Sequence, residues 1–209
     1  MQEFAPIWTE NEPPIDRFIG SYFFLSNFYP CKIKWNEKVW PSSEHIYQAE
    51  KTLSDGWKEL IRLANTPGNA KHMGKMVPLV SNWEEKKISV MKDILRAKFK
   101  DMYLGHALHE TGDKILIEGN EWHDNFWGIC SCEKCKNKNG QNMLGKLLME
   151  LREEKKEEWK NEIASREPRT LDDWVLYLKG EKSVTRGEMS SILSAVRQYV
   201  LMPPLRKNI

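Results

Sequence analysis

The most informative hydrophobic pattern follows Trp40, where apolar and polar residues alternate with helical spacing. Residues 41–43 can open a helix, because proline suits an early helical position and a serine hydroxyl can accept a hydrogen bond from a first-turn amide. The apolar face comprises Ile46, Ala49 and Leu53, and the polar face comprises Glu44, Gln48 and Lys51. The spacing therefore predicts a helix that packs by one face and presents a carboxylate, an amide and an amine on the other.

Short segments rich in aromatic and β-branched residues predict a small β component. Residues 17–24 are aromatic and predict a strand, and residues 31–40 predict a hairpin around a turn at Asn36 and Glu37. Residues 114–118 are too few and too β-branched for a helix, so they predict another strand.

Longer amphipathic segments predict that helices dominate the chain. Asn82 followed three positions later by Glu85 matches a capping box, which favours the start of a long helix. The apolar stripe of that helix is Ile88, Met91, Leu95, Phe99 and Met102, and a later helix has the stripe Leu144, Leu147, Leu148 and Leu151. The predicted fold class is α+β, predominantly helical.

The sequence pattern changes in the last part of the chain. From about Asn161, capping patterns at Thr170 and Thr185 each head a short predicted helix. We therefore predict one domain over residues 1–160 and a helical C-terminal extension over residues 161–209.

Composition narrows the class of protein. With 209 residues and 40% hydrophobic residues, the chain can bury one sizeable core. Its net charge of +2 gives no global basic field, so nucleic-acid binding would need a local patch. No apolar run reaches the roughly 18 residues of a membrane span. The four cysteines, three of them clustered, do not resemble a secreted disulfide framework, so we predict a cytoplasmic protein with reduced thiols.

Glu44 is the first candidate for chemistry. A glutamate in a first helical turn is often only a partner of the helix dipole, worth about 0.3 to 1 kcal/mol. Here Gln48 and Lys51 share its face, and apolar neighbours surround it. A carboxylate in such surroundings can have its pKa raised toward acid–base use, and a desolvated lysine can become a nucleophile.

The loop at residues 119–128 is the second candidate. It is dense in polar and aromatic groups, and functional residues often lie on loops that a scaffold holds in place. Asp124 is either a turn former or a second carboxylate of a site. Trp127 can fill a core or stack on a planar ligand.

Two further clusters have weaker signals. Cys132 and Cys135 form a C-x-x-C that could hold half of a zinc site, but no second pair with suitable spacing follows. Cys130, Cys31 or a histidine could complete the site only if the fold brought it close, so no metal site is predicted. Lys71 and Lys75 lie one helical turn apart and could meet a phosphate, although such pairs are usually plain surface.

Several of these segments together resemble one family. They are FLSNFYP at 24–30, PSSEHIYQAEK at 41–51, the segment 83–99, DNFWG at 124–128 and NMLGKLLM at 142–149. In this order they are similar to the motifs of the NADAR (YbiA-like) family, over about residues 16–155. The resemblance implies a largely helical α+β domain with N-glycosidase activity on ribosides.

The resemblance also implies site residues and substrates. The catalytic positions carried over by motif are Glu44, Lys51, Trp83, Asp124 and Trp127. The substrate-binding positions are Ser26, Asn27, Phe28, His45, Gln48 and Lys75. The implied substrates are ADP-ribose attached to guanine, free or within nucleic acid, and a ribosylamino-pyrimidine of the riboflavin pathway. Relatives often have Gly-Arg where this chain has Gly74-Lys75, and lysine lacks the bidentate grip of arginine on phosphate.

The chemistry of N-glycoside cleavage fits this residue set. A carboxylate must face the developing charge on the ribose, and an acid must protonate the departing base. Glu44 and Asp124 are the predicted pair, with either one as the acid, and no cofactor is required. Lys51 offers a second route through a Schiff base with the opened sugar. The alternative function is a module that binds ADP-ribose or NAD without cleaving it.

Overall fold

The computed structural model describes residues 13–135 and 137–166, with side chains up to residue 159. The helices are α1 Ser43–Ala49, α2 Asp55–Arg62, α3 Pro67–Met73, α4 Trp83–Lys98, α5 Met102–His109 and α6 Met143–Arg166, preceded by a 3₁₀ helix over Gly20–Leu25. The strands are β1 Ile33–Trp35, β2 Lys38–Trp40, β3 Gly119–Asn120 and β4 Ile129–Cys130. The predicted fold class, mainly helical with little sheet, is confirmed.

The predicted hairpin is present. β1 pairs antiparallel with β2, with Ile33 opposite Trp40. Asn36 and Glu37 have φ angles of 46° and 62°, as a tight two-residue hairpin loop requires. The hairpin packs on α4 and leads directly into α1.

Helix α1 lies at the centre of the domain. The hydroxyl of Ser42 accepts a hydrogen bond from the backbone N–H of His45, so the predicted serine cap is formed. Every residue of α1 is buried, and the helix packs against α2, α3 and α4. The helix ends at Ala49, earlier than the pattern predicts, and Leu53 is therefore 83% exposed instead of lying on its apolar face.

The two long helices have most of the predicted apolar stripes, although Ile88 is only half-buried and Met102 lies on α5 instead of α4. Met91, Leu95 and Phe99 are buried along α4 and just after it, and the four leucines of the α6 stripe are buried as well. The capping box at Asn82 is not formed, because the Asn82 side chain makes no capping hydrogen bond. The buried side chain of Trp83, and not the cap, therefore anchors the start of α4.

Two of the predicted strands are wrong. Residues 17–24 contain the first part of the 3₁₀ helix, because Gly20 has a left-handed φ of 56° that interrupts an extended run. Within 114–118, only Leu116 forms a bridge, to Ile15. The actual strand begins one residue later, where β3 pairs in parallel with β4.

Two further predictions concern the rest of the chain. No helix in the described ranges combines the length and the apolarity that a membrane crossing needs. The predicted helical extension lies outside the described residues after position 166, so the division at residue 160 remains a prediction.

Candidate active site

A cavity of about 640 Å³ opens beside α1. Eight of the predicted site residues line it: Ser26, Asn27, Phe28, Glu44, Gln48, Lys51, Asp124 and Trp127. They come from three separate segments of the chain, which the fold brings to one place. A cavity of this size suits a nucleotide-sized ligand.

Helix α1 supplies the buried carboxylate. Glu44 is 6% exposed, and burial raises the pKa of its carboxyl group. Gln48, one turn later, donates a hydrogen bond of 2.7 Å from Nε2 to Glu44 Oε1, which opposes that rise and orients the carboxyl group. Gly74, directly after α3, lies so close that a Cβ there would overlap the Gln48 amide.

Lys51 lies just beyond the end of α1 and still faces the cavity. Its amine is 5.4 Å from the centre of the Tyr47 ring. Burial lowers the pKa of this amine, while the negative charge of Glu44 acts in the opposite direction. A lysine in this position can bind an anion in its charged form or act as a nucleophile when neutral.

The loop at residues 26–28 forms one wall of the cavity, and two hydrogen bonds hold it in place. The Ser26 hydroxyl accepts a hydrogen bond from the Phe28 N–H at 3.2 Å. The buried amine of Lys98 donates to the Ser26 carbonyl at 2.8 Å. Lys98 is 1% exposed, and burial lowers the pKa of its amine to about 8. A costly buried cation therefore holds this wall in place.

The loop between β3 and β4 supplies the second carboxylate. Asp124 Oδ1 accepts hydrogen bonds from the backbone N–H groups of Phe126 at 3.1 Å and Trp127 at 2.8 Å. The Asn120 amide donates to the Asp124 carbonyl at 2.7 Å. These bonds fix Asp124 at the cavity, with its second oxygen outside them.

Aromatic rings connect the two carboxylate-bearing segments. Tyr47 of α1 meets Trp127 edge to face, with ring centres 5.4 Å apart and an interplanar angle of 86°. On its other side, Tyr47 contacts the ring of Trp83 at 5.1 Å. Such ring pairs add about 0.5 to 1.5 kcal/mol beyond area burial, so they hold α1 and the loop together.

Three predicted site residues do not line the cavity. Trp83 is 4% exposed and contacts the ring of Tyr47, which lines the cavity. His45 is buried, and its two ring nitrogens contact the Ser42 hydroxyl and the Ala64 carbonyl, so its predicted role in substrate binding does not fit its position. Lys75 is exposed and does not line the cavity, although its positive charge helps to lower the pKa of Lys51.

The cavity also contains residues outside the predicted catalytic and substrate-binding sets, one of them the weaker candidate Lys71. Lys71 of α3 adds a second cation, and Trp122 lies at the wall with 62% exposure. Glu118 adds a third carboxyl group, and its Oε2 finds no hydrogen-bond partner within the described part of the chain. Burial raises the pKa of Glu118 to about 7, and the charge of Asp124 adds to the effect. In the sequence, only its position directly before the polar loop at residues 119–128 could have marked Glu118 as a site residue.

The arrangement can support acid–base chemistry on a polar ligand. Glu44 and Glu118 have raised pKa values, so either can hold a proton that an exposed glutamate would have lost. Lys51 and Lys71 supply positive charge, and the aromatic side chains exclude water.

Two proteins with named functions are similar to this chain in sequence. N-glycosidase YbiA of Escherichia coli is 42% identical over 136 residues, which cover 64% of this chain and 81% of that protein. A riboflavin biosynthesis protein of Vibrio vulnificus is 36% identical over 137 residues, which cover 64% of this chain but 36% of that protein.

Structure comparison and a family model complete the assignment. The NMR structure of the Escherichia coli protein YbiA is similar with a TM-score of 0.58 and 39% identity, over 71% of this chain and 88% of that one. The model of the NADAR domain matches residues 15–155, a range that contains all the residues of the cavity. The chain therefore belongs to the NADAR family.

Proposed function

We propose that this chain hydrolyses the N-glycosidic bond of a ribosyl substrate in the cavity beside α1. The observation that carries the proposal is that Glu44 and Asp124, 80 positions apart in the chain, line one cavity together with Lys51 and Lys71. The relative named N-glycosidase confirms the predicted enzyme class, a glycosidase that acts on N-glycosyl bonds.

In the proposed reaction, Glu44 is the general acid. Its raised pKa keeps a proton available, and the Gln48 amide orients the carboxyl group. As the bond from ribose to base breaks, the electron pair leaves with the base nitrogen, which takes up that proton. The carboxylate of Asp124 faces the positive charge that develops on the ribose. Water then adds at the anomeric carbon and gives its proton to the Glu44 carboxylate, which restores the acid.

The substrate proposal has two members that share a ribose, a planar base and phosphate. They are ADP-ribose attached to a guanine base and a ribosylamino-pyrimidine phosphate of the riboflavin pathway. Lys51 and Lys71 supply cations for the phosphate, and Trp127 offers a ring for the base. The name of the Vibrio vulnificus relative, a riboflavin biosynthesis protein, supports the second member.

The test is to incubate the full chain with each substrate and to measure released base by liquid chromatography and mass spectrometry. We expect release from at least one of them. We expect Glu44→Gln to reduce turnover by about 10²- to 10⁴-fold, because it preserves shape but cannot donate the proton. Glu153→Gln, which changes an exposed carboxylate on α6, is the matched control and should retain full activity.

Two outcomes would contradict the proposal. A folded Glu44→Gln variant with wild-type turnover would remove Glu44 from the chemistry. Binding of ADP-ribose in isothermal titration without turnover of either substrate would favour the alternative, a module that binds this ligand without cleaving it.

A further inference from the structure

Four potential metal ligands meet outside the cavity, at the end of the loop that carries Asp124. They are the imidazole of His123 and the thiols of Cys130, Cys132 and Cys135, and their ligand atoms all lie within 4.8 Å of one another. The Nδ1 atom of His123 lies 3.1 Å from Cys132 Sγ and 3.4 Å from Cys135 Sγ.

These distances fit a tetrahedral metal site. Zinc binds thiolate sulfur at about 2.3 Å and imidazole nitrogen at about 2.0 Å, so a sulfur and a nitrogen on one ion are about 3.5 Å apart. The two contacts of His123 Nδ1 are close to that value. The separations within the group allow the remaining thiols to reach the same ion by small side-chain rotations.

The backbone explains why the four residues converge. β3 and β4 pair in parallel, which sets Cys130 beside Asn120 at the start of the loop. His123 has a left-handed φ of 69°, which turns the loop back toward β4. The Cys135 N–H donates to the Cys132 carbonyl at 2.9 Å, and this tight turn brings the two thiols of the C-x-x-C together.

The surroundings suit thiolates. Cys130 and Cys135 are each 3% exposed, whereas Cys132 and His123 lie nearer the surface. The backbone N–H of His123 points at Cys130 Sγ at 3.3 Å, a bond that stabilises a negatively charged sulfur. Three buried or half-buried thiols with a histidine match the Cys₃His set of structural zinc sites.

We propose that His123, Cys130, Cys132 and Cys135 bind one Zn²⁺ ion as a structural site. All four positions of a tetrahedron are filled by protein ligands, so the ion has no open position for substrate. The ligand His123 lies between Trp122 and Asp124 in the sequence, and both of these residues line the cavity. The ion would therefore fix both the shape of the loop and the position of one carboxylate. The proposal does not depend on which reaction the cavity performs.

The test measures metal in the full chain. Protein expressed in zinc-supplemented medium and purified with a phosphine reductant is analysed by inductively coupled plasma mass spectrometry. We expect one zinc per chain, and loss of zinc in Cys132→Ser and in His123→Asn, since asparagine tolerates a left-handed φ. Cys31→Ser is the matched control and should retain its zinc, because Cys31 is not among the four ligands.

A second measurement keeps the test decisive if a ligand variant does not fold. Wild-type protein reconstituted with Co²⁺ should show the thiolate-to-metal charge-transfer and visible d–d absorption of a tetrahedral site. Thiol titration should find one reactive cysteine before chelation and four afterwards. Wild-type protein that takes up neither metal, or variants that bind as much zinc as Cys31→Ser, would overturn the proposal.

Discussion

Glu118 provides the sharpest quantitative prediction, through the substitution Glu118→Gln. The backbone at this position is held independently of the side chain, because its N–H donates to Asn142 Oδ1 at 3.0 Å and its carbonyl accepts from the Ile129 N–H at 3.0 Å. Glutamine keeps the shape of the side chain and removes the ionisable group. The substitution therefore isolates the free energy of charging this buried carboxyl group.

The magnitude follows from the pKa of Glu118. Burial raises it from 4.5 to about 7, which at about 1.4 kcal/mol per pH unit corresponds to about 3 kcal/mol. Because the folded protein holds this proton to higher pH than the unfolded chain, the stabilisation is fully present below pH 4.5. It is lost as the pH rises through about 7. The wild-type free energy of unfolding should therefore fall by about 3 kcal/mol relative to Glu118→Gln across this window.

The assay is urea unfolding followed by tryptophan fluorescence, at several pH values from 4.5 to 8. Contributions shared by the two proteins cancel in the difference between their free energies of unfolding. Glu153→Gln, with a side chain that is 71% exposed in the wild type, is the control and should differ from wild type equally at every pH. A difference for Glu118→Gln that stays constant with pH would refute the reasoning.

Two lysines provide the remaining predictions. If the carboxylates perform the reaction, sodium borohydride added during turnover should trap no covalent adduct between ribose and the protein. An adduct that forms in the wild type but not in Lys51→Met would instead assign the chemistry to the Lys51 amine. Lys98→Met should be at least as stable as wild type in urea at pH 7. The displacement of the Lys98 pKa from 10.5 to about 8 indicates that the buried charge costs about 3 kcal/mol. Its turnover should nevertheless fall, because the Ser26 carbonyl loses its anchor. The control is Lys92→Met on the same helix, which should retain turnover because Lys92 pairs with Glu150 at the surface. A strongly destabilised Lys98→Met would show that the buried charge does not carry this cost.

Local rules were sufficient for the parts of the fold that depend on near neighbours. The serine cap and the helical spacing predicted α1 and the shared face of Glu44 and Gln48, and the turn at Asn36 predicted the hairpin. The same rules did not find the end of α1, because Leu53 carries an apolar side chain that the folded protein leaves exposed. The hydrophobic pattern shows which side chains could be buried, whereas tertiary contacts determine which of them are buried.

Features that depend on distant segments could not be predicted in this way. The pKa of Glu118 is raised because the fold buries it near Asp124 and Glu44, and no local pattern encodes that burial. His123 joins the three cysteines only because its backbone takes a left-handed turn. The motif resemblance located the carboxylates, but it placed His45 in the site although its ring faces the packed side of α1.

The close approach of Gly74 to Gln48 extends the site beyond the residues that touch the cavity. Any side chain at position 74 must displace the Gln48 amide, and that amide holds the Glu44 carboxyl group. In a mutational scan scored by activity per folded protein, position 74 should therefore group with Glu44, whereas a scan scored by folding should register only the overlap with the buried Gln48 side chain. Comparing the two scans would identify a functional residue that no bound ligand would reveal.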